Sequence, residues 1–463
     1  MSNTGNGNKA NILGTMPIGR LLVKFAIPSI VAMLVSSLYN MVDQIFIGNY
    51  VGSLGNAATN VAFPLTTMCI ATSLAFGIGG AAAFNLENGA GNSESAGQYI
   101  GNAFSMMIIV GIILTVVAQV FTTPLLRFFG SPEDVLPYAI EYIKITSIGF
   151  PLLIVSGGGG HLIRADGKPT VAMFCNLVGA IVNTILDALF VVVFGWGMKG
   201  AAIATVIGQI LACGLVLYHV INFKTVKLTL EHFTPRAEYA LRCLNLGMSQ
   251  GFNQLAMMVV QIVLNNSLRV YGARSIYGES IPIAVVGVIT KVNIIYFSFC
   301  IGLSQSLQPI ASFNYGAKNY KRTREAFLKA MMAGTIVSII ACVIFRTFPR
   351  QITSIFGQGS EEYFDFAIKY FKIYLFFTFI NNIQPLTSNF FSAIGKPIKG
   401  LFLSLTRQII FLLPMILILP LMMGIDGIMY AGPVADGLAF VVSIVFLVLE
   451  LRRPEYRKED YGK

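Results

Sequence analysis

Twelve long apolar runs dominate the sequence and leave few folds open to it. Each is roughly 20 residues long, about the length that an α-helix needs to cross the ~30 Å hydrocarbon core of a bilayer. Charged residues make up only 11% of the chain, which is too few for a surface in contact with water. We therefore predict an all-α, polytopic membrane protein with twelve transmembrane helices. The runs occupy residues 21–46, 57–84, 99–123, 138–160, 171–195, 200–222, 244–268, 281–311, 330–347, 364–392, 400–422 and 428–450.

The two halves of the chain repeat each other at a nearly constant offset. Each half holds six runs, and an even number means that both halves enter the membrane from the same side. This predicts a parallel repeat of two pseudo-symmetric six-helix bundles with a cavity between them. The matching stretches are Gly167-Lys168-Pro169 with Gly395-Lys396-Pro397, Phe84-Asn85 with Phe313-Asn314, and Phe129-Gly130 with Phe356-Gly357.

Basic residues indicate which side of the membrane each loop faces. The net charge is +11, and placing both termini in the cytoplasm puts most Lys and Arg of the loops on that side. No basic stripe with interleaved aromatic residues accompanies them, so we expect no nucleic-acid partner. The predicted segments are a disordered cytoplasmic N-terminus, an N-lobe, a cytoplasmic linker, a C-lobe and a basic cytoplasmic tail. They occupy residues 1–16, 17–222, 223–243, 244–451 and 452–463.

Two aspartates lie inside apolar runs, where a charged side chain costs at least a few kcal/mol. Asp43 is near the outer end of the first run, and Asp187 is in the fifth. Asn183 shares a helix face with Asp187 because four residues separate them, and Thr205 lies at a similar depth. This group can share a proton, or it can hold Na⁺ through Asp43, Asn183 and Asp187. The alternative for Asp43 is a carboxylate that snorkels to the headgroups.

The repeat places this chemistry in the first half only. Asp43 reads against Val260, and Asp187 falls opposite Met415. Pro28 lies well inside the first run, where it removes a backbone hydrogen bond and should kink the helix. Such a kink could respond to the state of Asp43, or it could be a fixed structural feature, and the sequence leaves both open.

The second half has ions of its own. Lys291 and Asp436 come several residues below the outer face, so we predict a charge pair between them, structural or facing the cavity. Arg407 enters from the cytoplasmic side, and Asp436 reads against Gln209 in the first half. Several amides are candidates for lining the cavity, although most polar residues of this kind face other helices. The candidates are Asn40, Asn176, Gln209, Gln254 and Asn381.

These features together resemble the multidrug and toxic compound extrusion (MATE) family, and within it the MepA-like bacterial branch. The resemblance covers the chain after residue 16. Its most specific parts are Val42-Asp43-Gln44, Ala90-Gly91-Asn92, the Gly-Lys-Pro loops and the Asn183–Asp187 pair. It implies a V-shaped fold, an N-lobe cation site at Asp43, Asn183, Asp187 and Thr205, and a bending proline at Pro28. Residues 244–268 contain no acid, which argues against a C-lobe cation site of the kind that some relatives have.

The resemblance implies a secondary active antiporter in the bacterial plasma membrane. It would act as a monomer, export amphipathic organic cations and take up H⁺ or Na⁺, with no other cofactor. A lipid-linked precursor flippase of the same superfamily is the alternative, which calls for a cavity rich in basic residues. An integral membrane enzyme is a further alternative, but no clustered nucleophile or metal set is visible. The six cysteines are scattered without metal or disulfide spacing.

Overall fold

The structure is a computed structural model that describes residues 11–223, 225–278, 280–355 and 360–456. All regular secondary structure in these ranges is helical, which confirms the predicted all-α fold. Residues 1–10 and 457–463 of the predicted termini, and the repeat match at 356–357, lie outside the described residues. The helices of the first half are α1 Ile12–Thr15, α2 Ile18–Tyr50, α3 Ser53–Gly89, α4 Ser93–Val120, α5 Thr122–Phe128, α6 Leu136–Thr146, α7 Phe150–Ala165, α8 Pro169–Asp187 and α9 Gly197–Ile221.

The second half repeats this order with its own breaks. Its helices are α10 Ala237–Ala273, α11 Ser280–Gly316, α12 Tyr320–Thr347, α13 Pro349–Ile355, α14 Glu361–Tyr374, α15 Ile383–Ala393, α16 Pro397–Leu405, α17 Leu413–Met423 and α18 Ile425–Leu451. A π-helical segment follows α8 at Ala188–Val193, and another joins α16 to α17 at Thr406–Leu412.

Among the described residues, ten helical segments are long and apolar enough to cross a membrane. The seventh and tenth predicted spans fall on α10 and on α14–α15, which are not among the ten. α10 has 37 residues, but amides such as Gln250, Asn253 and Gln254 make it more polar. The α14–α15 stretch is interrupted by a 3₁₀ turn at Thr378–Ile380. Both still pack within the bundle, α10 along α3 and α15 along α11, so two sets of six are retained.

Backbone angles repeat along with the sequence. Lys168 and Lys396, which precede α8 and α16, have the same φ of −116° and ψ values of 60° and 61°. The glycine before each lysine has a positive φ, 81° at Gly167 and 77° at Gly395. A positive φ is strained for residues with a Cβ atom, so the Gly-Lys-Pro motif encodes one turn that the chain uses twice.

Helix α2 belongs to both lobes. Its first half contributes Leu21 and Phe25 to a core whose other members include Leu307, Phe327 and Phe390 of the C-lobe. The same helix packs along α8 of the N-lobe. Pro28 lies between these regions, and α2 continues as helix through it. The predicted N-lobe at 17–222 is therefore divided, because its first helix is anchored in the opposite lobe.

The lobes approach each other closely through glycines near one end of the bundle, here called the closed end. It is the end that carries the Gly-Lys-Pro loops. A Cβ atom on Gly247 of α10 would lie 2.6 Å from the backbone carbonyl carbon of Ala75 in α3, and one on Gly316 of α11 would lie 2.8 Å from the backbone carbonyl carbon of Leu86 in α3. Arg242 adds an ion pair across the lobes, 3.0 Å from Glu87. Glycine thus permits a tight seal between the lobes.

The prediction of disorder through residue 16 is wrong for residues 11–16. Helix α1 occupies part of this segment, and Leu13 is fully buried. Arg322 donates to the carbonyl oxygens of Leu13 and Met16 at 3.2 and 2.7 Å. Asn314 also donates to Leu13, at 2.9 Å. The buried side chain of Leu13 and the hydrogen bonds to its carbonyl oxygen hold residues 11–16 at the closed end.

The predicted linker at 223–243 is also more ordered than its polar sequence indicates. Leu230–Phe233 forms a 3₁₀ turn, and α10 begins at Ala237. The amide of Asn102 in α4 donates to the His232 carbonyl at 3.3 Å and accepts from the Arg236 backbone at 2.6 Å. One side chain therefore holds the connection against the N-lobe.

Glu450 at the closed end is fully buried, with 0% exposure. Its carboxylate pairs with Lys396, with Lys399 at 3.3 Å and with Arg453 at 3.4 Å. Replacing it by alanine leaves three cations without their counter-ion. We expect Glu450→Ala to lower the free energy of unfolding by about 3 kcal/mol, the lower end for a broken buried pair, because all three partners are partly exposed.

Thermal unfolding in detergent measures this loss. Glu325→Gln is the matched control, because it removes an exposed carboxylate that pairs with Lys329 at 2.6 Å. Such surface pairs contribute about 0–1 kcal/mol. Equal melting temperatures for the two variants would contradict a structural role for Glu450.

Candidate functional site

The two intramembrane acids of the N-lobe meet. Asp43 on α2 and Asp187 at the end of α8 bring their carboxyl groups within hydrogen-bonding reach of each other. Asp187 is 1% exposed, and Asp43 is half-buried. Two carboxylates cannot stay in contact while both are charged and unshielded. The pair therefore requires a shared proton or a cation.

Asn183 and Thr205 complete the group that the sequence predicts. In the orientation that satisfies both ends of its amide, Asn183 donates to Asp187 Oδ2 at 3.1 Å and accepts from the Thr205 backbone N–H at 3.0 Å. The Thr205 hydroxyl donates to the Ala201 carbonyl at 2.9 Å. Asn183 thus ties α8 to α9 and holds Asp187 in one orientation.

Two tyrosines belong to the same site and were missed in the sequence. Tyr39 and Tyr142 both lie close to the two acids, and Tyr142 also lies near Thr205. Two features of the sequence point to these tyrosines. Tyr39 comes four residues before Asp43 and so shares its helix face. Tyr142 reads against Tyr370 at the offset of the repeat.

Two carboxylate oxygens in the site are available to bind a proton or a cation. Asp43 Oδ1 and Asp187 Oδ1 are buried and accept no hydrogen bond from the described residues. Buried acceptors of this kind are rare in folded proteins. Carboxylate, amide and hydroxyl oxygens are ligands that suit hard cations such as Na⁺ and can equally accept a proton. The site is therefore chemically fit to exchange a small cation.

The amides predicted to line the cavity are dispersed over the structure. Asn40 is exposed and donates to the Ser36 carbonyl of its own helix at 2.7 Å. Asn176 and Gln254 are half-buried on different helices. Gln209 has a buried side-chain oxygen without a hydrogen bond from the described residues. Asn381 is buried in the C-lobe. These side chains therefore do not form one cluster.

The predicted Lys291–Asp436 pair is wrong. Lys291 is exposed, and Asp436 instead accepts from Arg407 Nε at 2.5 Å and from the Asn381 amide at 3.0 Å. Counting along helices estimates depth but not the direction in which a side chain points. Arg407 also lies in the π-helical segment, which changes the angular spacing of its residues.

Comparison with solved structures identifies the fold. The fold matches a solved MATE transporter in the straight conformation, with a TM-score of 0.88 at 22% identity, covering 96% of this chain and 99% of that one. A transporter of the MOP superfamily from Pyrococcus furiosus gives a TM-score of 0.89 at 21% identity, covering 98% of this chain and 100% of that one. These likenesses show that the chain has the fold of these transporters, and its N-lobe holds an intramembrane acidic pair.

Sequence comparison gives the family. The MatE family profile matches residues 28–189 and 253–418, so the chain belongs to the MatE family. This confirms the resemblance seen in the sequence. An FAD transporter from Shewanella oneidensis is 24% identical over 462 residues, covering 95% of this chain and 96% of its own length. The multidrug export protein MepA from Staphylococcus aureus is 21% identical over 436 residues, covering 94% of each.

Proposed function

We propose that this protein is a secondary active antiporter that exports amphipathic organic compounds, organic cations among them, in exchange for H⁺ or Na⁺. The observation that carries the proposal is the contact between Asp43 and Asp187 inside the membrane-spanning region. An acidic pair at this depth is costly to retain, and an exchangeable cation relieves that cost. Two relatives, one named as a multidrug export protein and one as a probable multidrug resistance protein, support the substrate class.

Because α2 is anchored in both lobes, it couples cation binding at Asp43 to the arrangement of the lobes around the substrate. A cation bound at Asp43 changes the contact between α2 and α8, while the first half of α2 stays fixed in the C-lobe core. The strain then falls on α2 around Pro28 or on the interface between the lobes. Binding that favours one of two lobe arrangements shifts the population toward it.

The distribution of basic residues indicates the orientation of the protein in the membrane. We propose that the closed end faces the cytoplasm of a bacterial cell, that both termini lie there, and that a monomer transports without nucleic acid or enzymatic activity. Arg164, Arg242, Arg322 and Lys396 all lie toward this end, in agreement with the positive-inside rule. A flippase function has less support because Arg407, one of the two basic candidates for its cavity, is paired with Asp436.

The test is dye transport in proteoliposomes. Ethidium is loaded inside, and a pH gradient or a Na⁺ gradient is imposed separately, each with the membrane potential clamped to zero. We expect one gradient to accelerate transport and its ionophore to abolish the effect. Competition by FAD, the cargo named for one relative, would widen the substrate class. Folded protein that moves no dye under either gradient would contradict the proposal.

A further inference from the structure

A second buried polar cluster lies in the C-lobe, and the acidic site of the N-lobe does not include it. Asp436 on α18 is 4% exposed and Asn381 is 8% exposed. Arg407, from the π-helical segment, completes the cluster. These residues come from the tenth, eleventh and twelfth spans. In the N-lobe the corresponding fourth, fifth and sixth spans supply Tyr142, Asp187 and Thr205.

Both carboxylate oxygens of Asp436 are occupied. Arg407 Nε donates to Oδ1 at 2.5 Å, and the Asn381 amide donates to Oδ2 at 3.0 Å. The guanidinium also lies 6.0 Å from the centre of the Phe297 ring. Tyr296 and Tyr374 face the pair from α11 and α14, and Cys300 lies beside Tyr296. The ion pair is thus enclosed by aromatic and neutral polar groups.

The intramembrane aspartates of the two lobes have different charged neighbours. In each lobe an amide donates to one oxygen of an intramembrane aspartate, Asn183 to Asp187 at 3.1 Å and Asn381 to Asp436 at 3.0 Å. In the N-lobe the acid faces a second acid, Asp43. In the C-lobe it faces Arg407. With its carboxylates ionised, the N-lobe site has two negative charges, whereas the C-lobe site is neutral.

We propose that Arg407 is a tethered cation that permanently fills the C-lobe site, so that each transport cycle exchanges cations only at the N-lobe pair. This inference rests on the proposed antiport. A guanidinium stays protonated at all physiological pH values and cannot diffuse away. It therefore neutralises Asp436 in both lobe arrangements and makes no contribution to the driving force. Arg407 is a positioning residue that sets the number of coupled cations.

The consequence is a change of stoichiometry when the tethered charge is removed. Arg407→Gln retains a hydrogen-bond donor but leaves Asp436 with an uncompensated charge, which H⁺ or Na⁺ from solution can then neutralise. The substrate gradient that an antiporter sustains at zero membrane potential rises as a power of the cation gradient, and that power is the ratio of cations to substrate. We expect the exponent to increase by one in this variant.

The experiment measures the limiting ethidium gradient in proteoliposomes as a function of the imposed pH or Na⁺ gradient. Arg407→Lys retains a tethered charge, and the double variant Arg407→Gln/Asp436→Asn removes both charges. Both should give the wild-type exponent. A wild-type exponent in Arg407→Gln would overturn the inference, and so would a lowered exponent in the double variant.

The double variant also covers the case in which Arg407→Gln does not fold, because it leaves no buried charge unpaired. If its exponent falls below that of the wild type, Asp436 already exchanges a cation in the native protein. Failure of the wild-type protein to couple dye to any cation is a different result, since it contradicts the antiport itself and not the role of Arg407.

Discussion

Asp43→Asn and Asp187→Asn should each abolish cation-driven efflux. Either change removes one of two carboxyl groups that contact each other, and the remaining acid no longer needs a shared proton or cation to relieve repulsion. A neutral amide retains the shape of the side chain but cannot exchange H⁺. We expect the driven rate to fall by at least about tenfold, the effect of adding ~1.4 kcal/mol to the activation free energy of the driven cycle. The measurement is ethidium efflux under the gradient that drives the wild type.

Asp134→Asn is the matched control, because Asp134 is an exposed acid in the loop between α5 and α6. It should transport at the wild-type rate. Melting temperatures in detergent must agree among the three variants and the wild type, so that loss of coupling is separated from loss of fold. Full driven efflux by a folded Asp43→Asn protein would remove the basis of the proposed function.

Gly247→Ala should open the closed end. The added Cβ atom would lie 2.6 Å from the carbonyl carbon of Ala75 and 2.9 Å from its Cα atom, and a backbone group cannot rotate aside. Overpacking of this kind costs about 1–3 kcal/mol, and it acts only on the lobe arrangement in which α3 and α10 touch. The population therefore shifts away from that arrangement, and transport slows because the cycle needs both.

A native residue reports the shift. Cys243 lies one turn from Gly247 at the lobe interface and is fully buried. With Cys243 as the sole cysteine, Gly247→Ala should increase its reaction rate with a membrane-impermeant maleimide by about tenfold, the effect of ~1.4 kcal/mol.

Gly214→Ala in α9 is the control, since a Cβ atom there meets nothing within 4 Å. It should leave the labelling rate of Cys243 unchanged. Equal labelling in the two glycine variants would mean that the glycine contact does not determine closure.

The sequence predicts the features of this protein that follow from the length of its apolar runs, from helix periodicity and from the free-energy cost of burying a charge. Apolar runs of spanning length predict the helices, and the expense of a buried carboxylate identifies Asp43 and Asp187. The four-residue spacing adds Asn183. Tyr39 and Tyr142 were not predicted, because an aromatic ring in an apolar run looks like any other membrane-facing residue. Lys291 was predicted as the partner of Asp436 in place of Arg407, since the orientation of Arg407 depends on a π-helical segment that no residue pattern indicated.

The path of α2 affects how the two halves are related. Their similarity is that of a duplicated gene, and duplication normally produces copies that each complete their own core. Here the start of the first copy fills a space in the second, with Leu21 and Phe25 packed beside Phe327 and Phe390. Separating the two halves would leave Leu21 and Phe25 without their buried environment and would leave a cavity in the second half. The copies have become interdependent, so the smallest functional unit is the pair.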